Sequence, residues 1–103
     1  MKKVINKKLY DTEKAELIAT RSNNLGPNNF NFEEEELYRT KTGNWFISFE
    51  GGAASRFAQK NHGYSISNTG IIACDNTQAY NFLEIINDIE NIQKYFSNII
   101  EEA

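Results

Sequence analysis

The 103-residue sequence contains one cysteine, one histidine, one proline and one tryptophan. A lone Cys74 can form no internal disulfide, and a lone His62 cannot build a His/Cys zinc set without carboxylate help. A reducing compartment fits this usage, and neither a structural metal nor a cofactor is expected. Long apolar runs are also missing: the longest, Ile71 to Cys74, has four residues, far short of the roughly 18 to 20 that cross a bilayer. After the basic start Met1-Lys2-Lys3, the pair Val4-Ile5 is followed at once by Asn6-Lys7-Lys8, where a secretory leader would need its apolar core. The expectation is a cytoplasmic protein with no membrane partner. No phosphate loop, dinucleotide fingerprint, nucleophile elbow or paired-cysteine motif occurs.

What is present suits one small domain spanning 1–103, with 40% hydrophobic, 24% charged and 13% aromatic residues and no internal repeat. Eleven Lys and Arg stand against fourteen Asp and Glu, a formal charge of −3. That balance argues against general nucleic-acid binding through basic side chains. The charge is polarised: residues 1–14 carry a net +3, residues 32–50 a net −3 and residues 84–103 a net −4. Of fourteen asparagines, the pairs Asn23-Asn24 and Asn28-Asn29 mark loops, because their side chains bond their own backbone and tolerate left-handed conformations.

Local patterning gives a sheet-rich region over 1–75 and a helical extension over 76–103. Lys3 to Ile5 and Lys8 to Tyr10 have hairpin spacing around Asn6-Lys7, although Lys7 stands where glycine would be easier. Asp11 can cap one turn, and Ala15 to Arg21 alternates as a strand. Glu35 to Thr40 and Trp45 to Glu50 flank a connection in which Gly43 can supply a positive φ. Gly51-Gly52 permits a sharp turn, and Ala53 to Gln59 has the composition of a short helix anchored by Phe57. Thr69 to Cys74 is a further strand. Asp75 to Gln78 matches a capping box, and an apolar stripe from Phe82 through Ile89, Ile92, Phe96, Ile99 and Ile100 recurs at intervals of three and four. An unbroken helix of that length would be roughly 38 Å long, more than a small sheet can cover. Either it breaks near Asn87-Asp88, or its end packs on another chain as a homodimer. The predicted fold class is α+β, an antiparallel sheet of four to five strands packed by a short helix and a long C-terminal helix.

Four features could carry chemistry. Ser55 after the glycine pair has only His62 as a possible base, and a Ser that decorates a short helix explains it as well. Cys74 lies in an apolar strand without a basic neighbour and behaves as a small hydrophobe. The run Glu33-Glu34-Glu35-Glu36 would project two carboxylates to each side of a strand. It is either a solvated edge that discourages edge-to-edge pairing or an anionic surface that competes with nucleic acid for a basic groove on a partner. Arg39, Lys41, Trp45 and Arg56 place cations beside an aromatic and could form a local strand-binding patch, although Trp45 on a central hairpin is more often core.

Three strings occur in order: Leu9 to Ala15 (LYDTEKA), Glu36 to Phe46 (ELYRTKTGNWF) and Glu50 to Ala58 (EGGAASRFA). Together they resemble a group of small phage and mobile-element proteins of Gram-positive and related bacteria, with the patterns K-x-Y-D-T-E-x-A, L-Y-R-T-K-x-G-x-[WF]-F and E-G-G-x-x-S-x-[YF]-A. The resemblance covers most of residues 5–75. This chain departs from it at Lys7, where that group usually has glycine, and in continuing past Asn87. Some proteins of this kind are associated with anti-CRISPR activity, so the resemblance implies binding to a bacterial CRISPR effector nuclease or its guide-RNA complex. With the small size, the acidic balance and the absence of catalytic sets, the expected function is a non-enzymatic inhibitor. Its partner-binding residues would be Glu33, Glu34, Glu35, Glu36, Arg39 and Arg56. A mobile-element regulatory or oligomerising protein, and an enzyme modifying guide RNA, are the alternatives.

Overall fold

Two apolar faces on the same strands decide the architecture. In the computed structural model, which describes all residues from Met1 to Ala103, the central strands are β3 (Glu16–Ser22), β4 (Glu33–Arg39), β5 (Trp45–Gly51) and β8 (Asn68–Cys74). They form one antiparallel sheet in the order β3-β4-β5-β8. Two ribbons flank it: β1 (Lys2–Ile5) with β2 (Lys8–Asp11), and β6 (Gln59–Asn61) with β7 (Tyr64–Ile66). Helices α1 (Asn76–Ile85) and α2 (Ile89–Phe96) complete an α+β fold. Neither helix is long and apolar enough to cross a membrane.

Alternation along β4 and β5 sends Leu37 and Trp45 to one face and Tyr38 and Phe46 to the other. On the first face, Leu37 and Trp45 join Ala79, Phe82, Leu83, Ile92 and Phe96 of the two helices in one buried cluster. On the second, Tyr38, Phe46 and Ile71 meet Tyr10 of the β1–β2 ribbon, with Tyr38 stacked on Phe46 at 5.1 Å and Tyr10 edge-on to Phe46 at 5.4 Å. Trp45 stacks on Phe96 at 5.6 Å and meets Tyr95 edge-on at 5.2 Å. It is 3% exposed, so it is core and has no face free to stack a base.

The helical region breaks at the asparagine. Asn87 adopts φ 56°, its amide donates to the Glu84 carbonyl, and the Asp88 amide donates to the Leu83 carbonyl, the paired bonds of a Schellman ending. Asp75 and Gln78 form the expected capping box on α1, while Asp88 caps α2 by accepting from the Asn91 amide at 3.2 Å. The Asn91 side chain also donates to the Ile18 carbonyl at 3.1 Å. Ile18 lies in the β-bulge of β3, so this bond ties α2 to the sheet edge. The stripe expected to need a second chain is covered within this one only in part: Phe82, Ile92 and Phe96 are buried, while Ile89, Ile99 and Ile100 stay exposed.

One expected element is replaced. The segment from Ala53 to Phe57 forms turns rather than a short helix, because its amides are taken elsewhere: Gly52 donates to the Phe32 carbonyl at 2.8 Å and Ala54 to the Phe30 carbonyl at 2.7 Å. A Cβ on Gly52 would stand 2.5 Å from the Phe30 oxygen, so only glycine permits this approach. Phe57 then stacks on Phe49 at 4.7 Å. The segment thus covers the end of the sheet face that the helices do not reach.

Candidate protein-docking face

The four consecutive glutamates occupy β4, and the sheet divides them. Register pairs Glu33 with Gly51, Glu34 with Glu50, Glu35 with Phe49 and Glu36 with Ser48. Glu33 and Glu35 therefore share the face of Leu37, while Glu34 and Glu36 share the opposite face with Tyr38.

Glu33 and Glu35 are neutralised inside the molecule. Arg56 donates through Nε to Glu33 at 3.1 Å and through Nη2 to Glu35, and its backbone amide donates to Glu33 at 2.8 Å. Arg21, opposite Glu35 on β3, stands 3.6 Å from the same carboxylate. Glu35 is 7% exposed, and a carboxylate so placed needs these partners. Arg56 also lies over the Phe57 ring at 4.5 Å. Two of the expected partner-binding carboxylates and one of the expected partner-binding arginines are thus bound to each other, holding the 52–58 turns onto the sheet.

Glu34 and Glu36 have no ion pair, and neither has Glu50, directly across from Glu34. Ser22 and Thr69 continue the row on either side. The β1–β2 ribbon covers only the Tyr38–Phe46 end of this face, so the carboxylates stand beside it and face outward: Glu50 is exposed, and Glu34 and Glu36 are half-buried. Burial pushes the Tyr38 hydroxyl above its ordinary pKa, and the neighbouring Glu36 charge adds to the rise. Like charges directly opposite in a sheet repel and lower stability, and Glu34 and Glu50 have no cation between them.

The remaining candidates fall elsewhere. Arg39 projects with Trp45 to the helix-covered face, its guanidinium 5.4 Å from the Trp45 ring and 5.1 Å from that of Tyr95. Ser55 donates its hydroxyl to the Gly52 carbonyl at 2.7 Å and accepts from the Phe57 amide at 3.2 Å. That hydroxyl closes a turn. His62 sits with Gly63 at the tip of the β6–β7 ribbon, at φ 47° and 86°, and makes no hydrogen bond to Ser55. Cys74 has a thiol pushed up to about 11, first by burial and then by the Asp75 and Glu35 charges. No group of His, Cys, Asp and Glu is placed to hold a metal ion.

Residue-level reading missed Glu50, Arg21 and Tyr95. Glu50 was within reach, since counting outward from the Gly43 turn sets it opposite Glu34. Arg21 and Tyr95 come from distant strands and helices whose placement no local pattern fixes. Comparisons with protein-family models, with curated proteins and with solved structures each find no match, so the geometry carries the functional argument.

Proposed function

We propose that this protein is a non-enzymatic inhibitor that docks on a bacterial CRISPR effector nuclease, presenting Glu34, Glu36 and Glu50 to the basic groove that otherwise holds nucleic acid. The observation that carries the reading is the like-charged row on the open sheet face. Three carboxylates are held on rigid strands without an internal cation, while their sequence neighbours Glu33 and Glu35 have Arg21 and Arg56. Carboxylates fixed on a strand at alternate positions offer a partner's Lys and Arg a preorganised anionic surface, which favours fast, salt-sensitive association. The resemblance of the LYDTEKA, ELYRTKTGNWF and EGGAASRFA strings to phage and mobile-element proteins supports the choice of partner.

The test is a cleavage assay with purified effector and guide RNA at increasing inhibitor. Excess protein is expected to block cleavage, and Glu34→Lys/Glu36→Lys to weaken the block by about tenfold or more, equivalent to about 1.4 kcal/mol. Full cleavage at excess protein rejects the inhibitor reading. Unchanged potency of the double variant rejects the acidic-groove mechanism and leaves inhibition standing.

A further inference from the structure

Arg39 is the one arginine of the chain without an anion. Its counterparts Arg21 and Arg56 each meet a carboxylate. Arg39 makes neither an ion pair nor a hydrogen bond, and its buried Nε has no partner. A guanidinium has five N–H donors and cannot deprotonate in a protein, so leaving the buried Nε–H without an acceptor is costly, while the Nη groups have no protein acceptor to compete with a ligand. The nearest carboxylate by register is Glu16 on β3, and it is not within ion-pair distance. Aromatic rings hold the guanidinium in place, Trp45 at 5.4 Å and Tyr95 at 5.1 Å. Lys94 lies over the same Tyr95 ring at 5.2 Å and adds positive potential.

This guanidinium borders a cleft of about 290 Å³ between the Gly43 turn, the start of α1 and the end of α2. Gly43 matters to its shape: at φ 87° it has no Cβ, and one built there would stand 3.2 Å from Arg39 Nη2. Asn76 and Asn98 line the cleft together with the apolar Tyr95 and Ile99.

We propose that this cleft binds a small organic carboxylate, its two oxygens on the Arg39 fork and its apolar body against Tyr95 and Ile99. A planar carboxylate matches one guanidinium edge in a bidentate pair. The volume is near the lower end of small-molecule sites, which selects a compact ligand. The site lies on the opposite face from Glu34, Glu36 and Glu50 and does not rest on the inhibitor reading, and its test uses no nuclease. The carboxylate can come from a free acid or from the C-terminus of a peptide.

The probes are benzoate and 3-phenylpropionate, each against its neutral amide at constant ionic strength. The readouts are Trp45 fluorescence, which has a single source because the chain has one tryptophan and which borders the cleft, and the NMR resonance of the Arg39 Nε–H group. The acids are expected to saturate with dissociation constants of about 1 mM or tighter, the amides to bind at least about tenfold more weakly, and Arg39→Lys, which keeps charge but loses the fork, to lose a similar factor. A dipeptide ending in a free Phe carboxylate, run beside its amidated form, identifies the source: tighter than 3-phenylpropionate indicates a peptide end, weaker indicates a free acid. Equal binding of acid and amide, or no saturation by either acid up to about 20 mM, overturns the site. Should Arg39→Lys fail to fold, the acid-against-amide comparison on the unaltered chain decides alone.

Discussion

Cys74 shows how a residue's neighbourhood changes its chemistry. It ends β8 among Leu37-side packing, and its thiol is raised from 9.0 to about 11, by burial foremost and by the Asp75 and Glu35 charges next. Between those values the folded chain binds a proton that the unfolded chain has lost, so stability falls as pH climbs from about 9 to about 11 and is fully retained below. Tyr38, also raised, acts in the same sense. Denaturant titrations at about pH 8 and about pH 10.5 are expected to show this loss, with a smaller loss in Cys74→Ala because Tyr38 remains. An identical pH dependence in the variant would refute the burial of the thiol. At this scale the sequence was legible wherever the deciding contact is local. The Asp75 capping box is local, and so is the apolar setting of Cys74. Lys7, where glycine would be easier, does occupy φ 66° beside Asn6 at φ 51°, a left-handed pair that a two-residue hairpin demands. The need for Gly52 was not legible, because the atoms that exclude a Cβ belong to Phe30, over twenty residues earlier in the chain.

A strand turns sequence adjacency into opposition, and β4 makes that measurable. Glu34 and Glu35 are neighbours in sequence, yet one faces Glu50 and the other two arginines. Glu35→Gln removes a charge that is 7% exposed and loosens both Arg21 and Arg56. A loss of about 1 to 2 kcal/mol is expected, reduced from a fully buried pair because Arg56 is half exposed. Glu34→Gln removes only repulsion with Glu50 and is expected to leave stability unchanged or raise it by a few tenths of a kcal/mol. Urea unfolding of the two isosteric variants checks this, and equal effects would contradict the division of the run. The two-to-a-side split was readable from period alone. Which side would be neutralised was not, since that depends on the 52–58 turns whose backbone is fixed by Phe30 and Phe32. The same holds for the helices: both alternatives for the long stripe were compatible with its spacing, and Asn87 selected the break because it tolerates the left-handed position that a Schellman ending requires.

The whole molecule is flat, 47 × 35 × 21 Å, with a radius of gyration of 15.0 Å against roughly 13 Å for a compact chain of this length. The excess agrees with an exposed β6–β7 ribbon and with a thin core in which 17 of 103 residues are buried. Residues 1–75 had the look of a self-sufficient motif region with a helical addition, but the packing joins them. Of the seven buried residues on the helix face, Ala79, Phe82, Leu83, Ile92 and Phe96 come from after residue 75, so without them Leu37 and Trp45 would face water. The second cluster shares the same two strands, with Tyr38 next to Leu37 and Phe46 next to Trp45. A strand cannot release one face and keep the other, because its ladder bonds hold both. Unfolding is therefore expected to be one transition, with Trp45 fluorescence reporting the helix face, near-ultraviolet tyrosine dichroism, compared between the unaltered chain and Tyr10→Phe, reporting the Tyr10–Tyr38 face, and far-ultraviolet dichroism the backbone. All three should have the same urea midpoint. A tyrosine signal lost well before Trp45 would show that the β1–β2 ribbon detaches on its own, and would make the face beside Glu34 and Glu36 a movable surface instead of a fixed one.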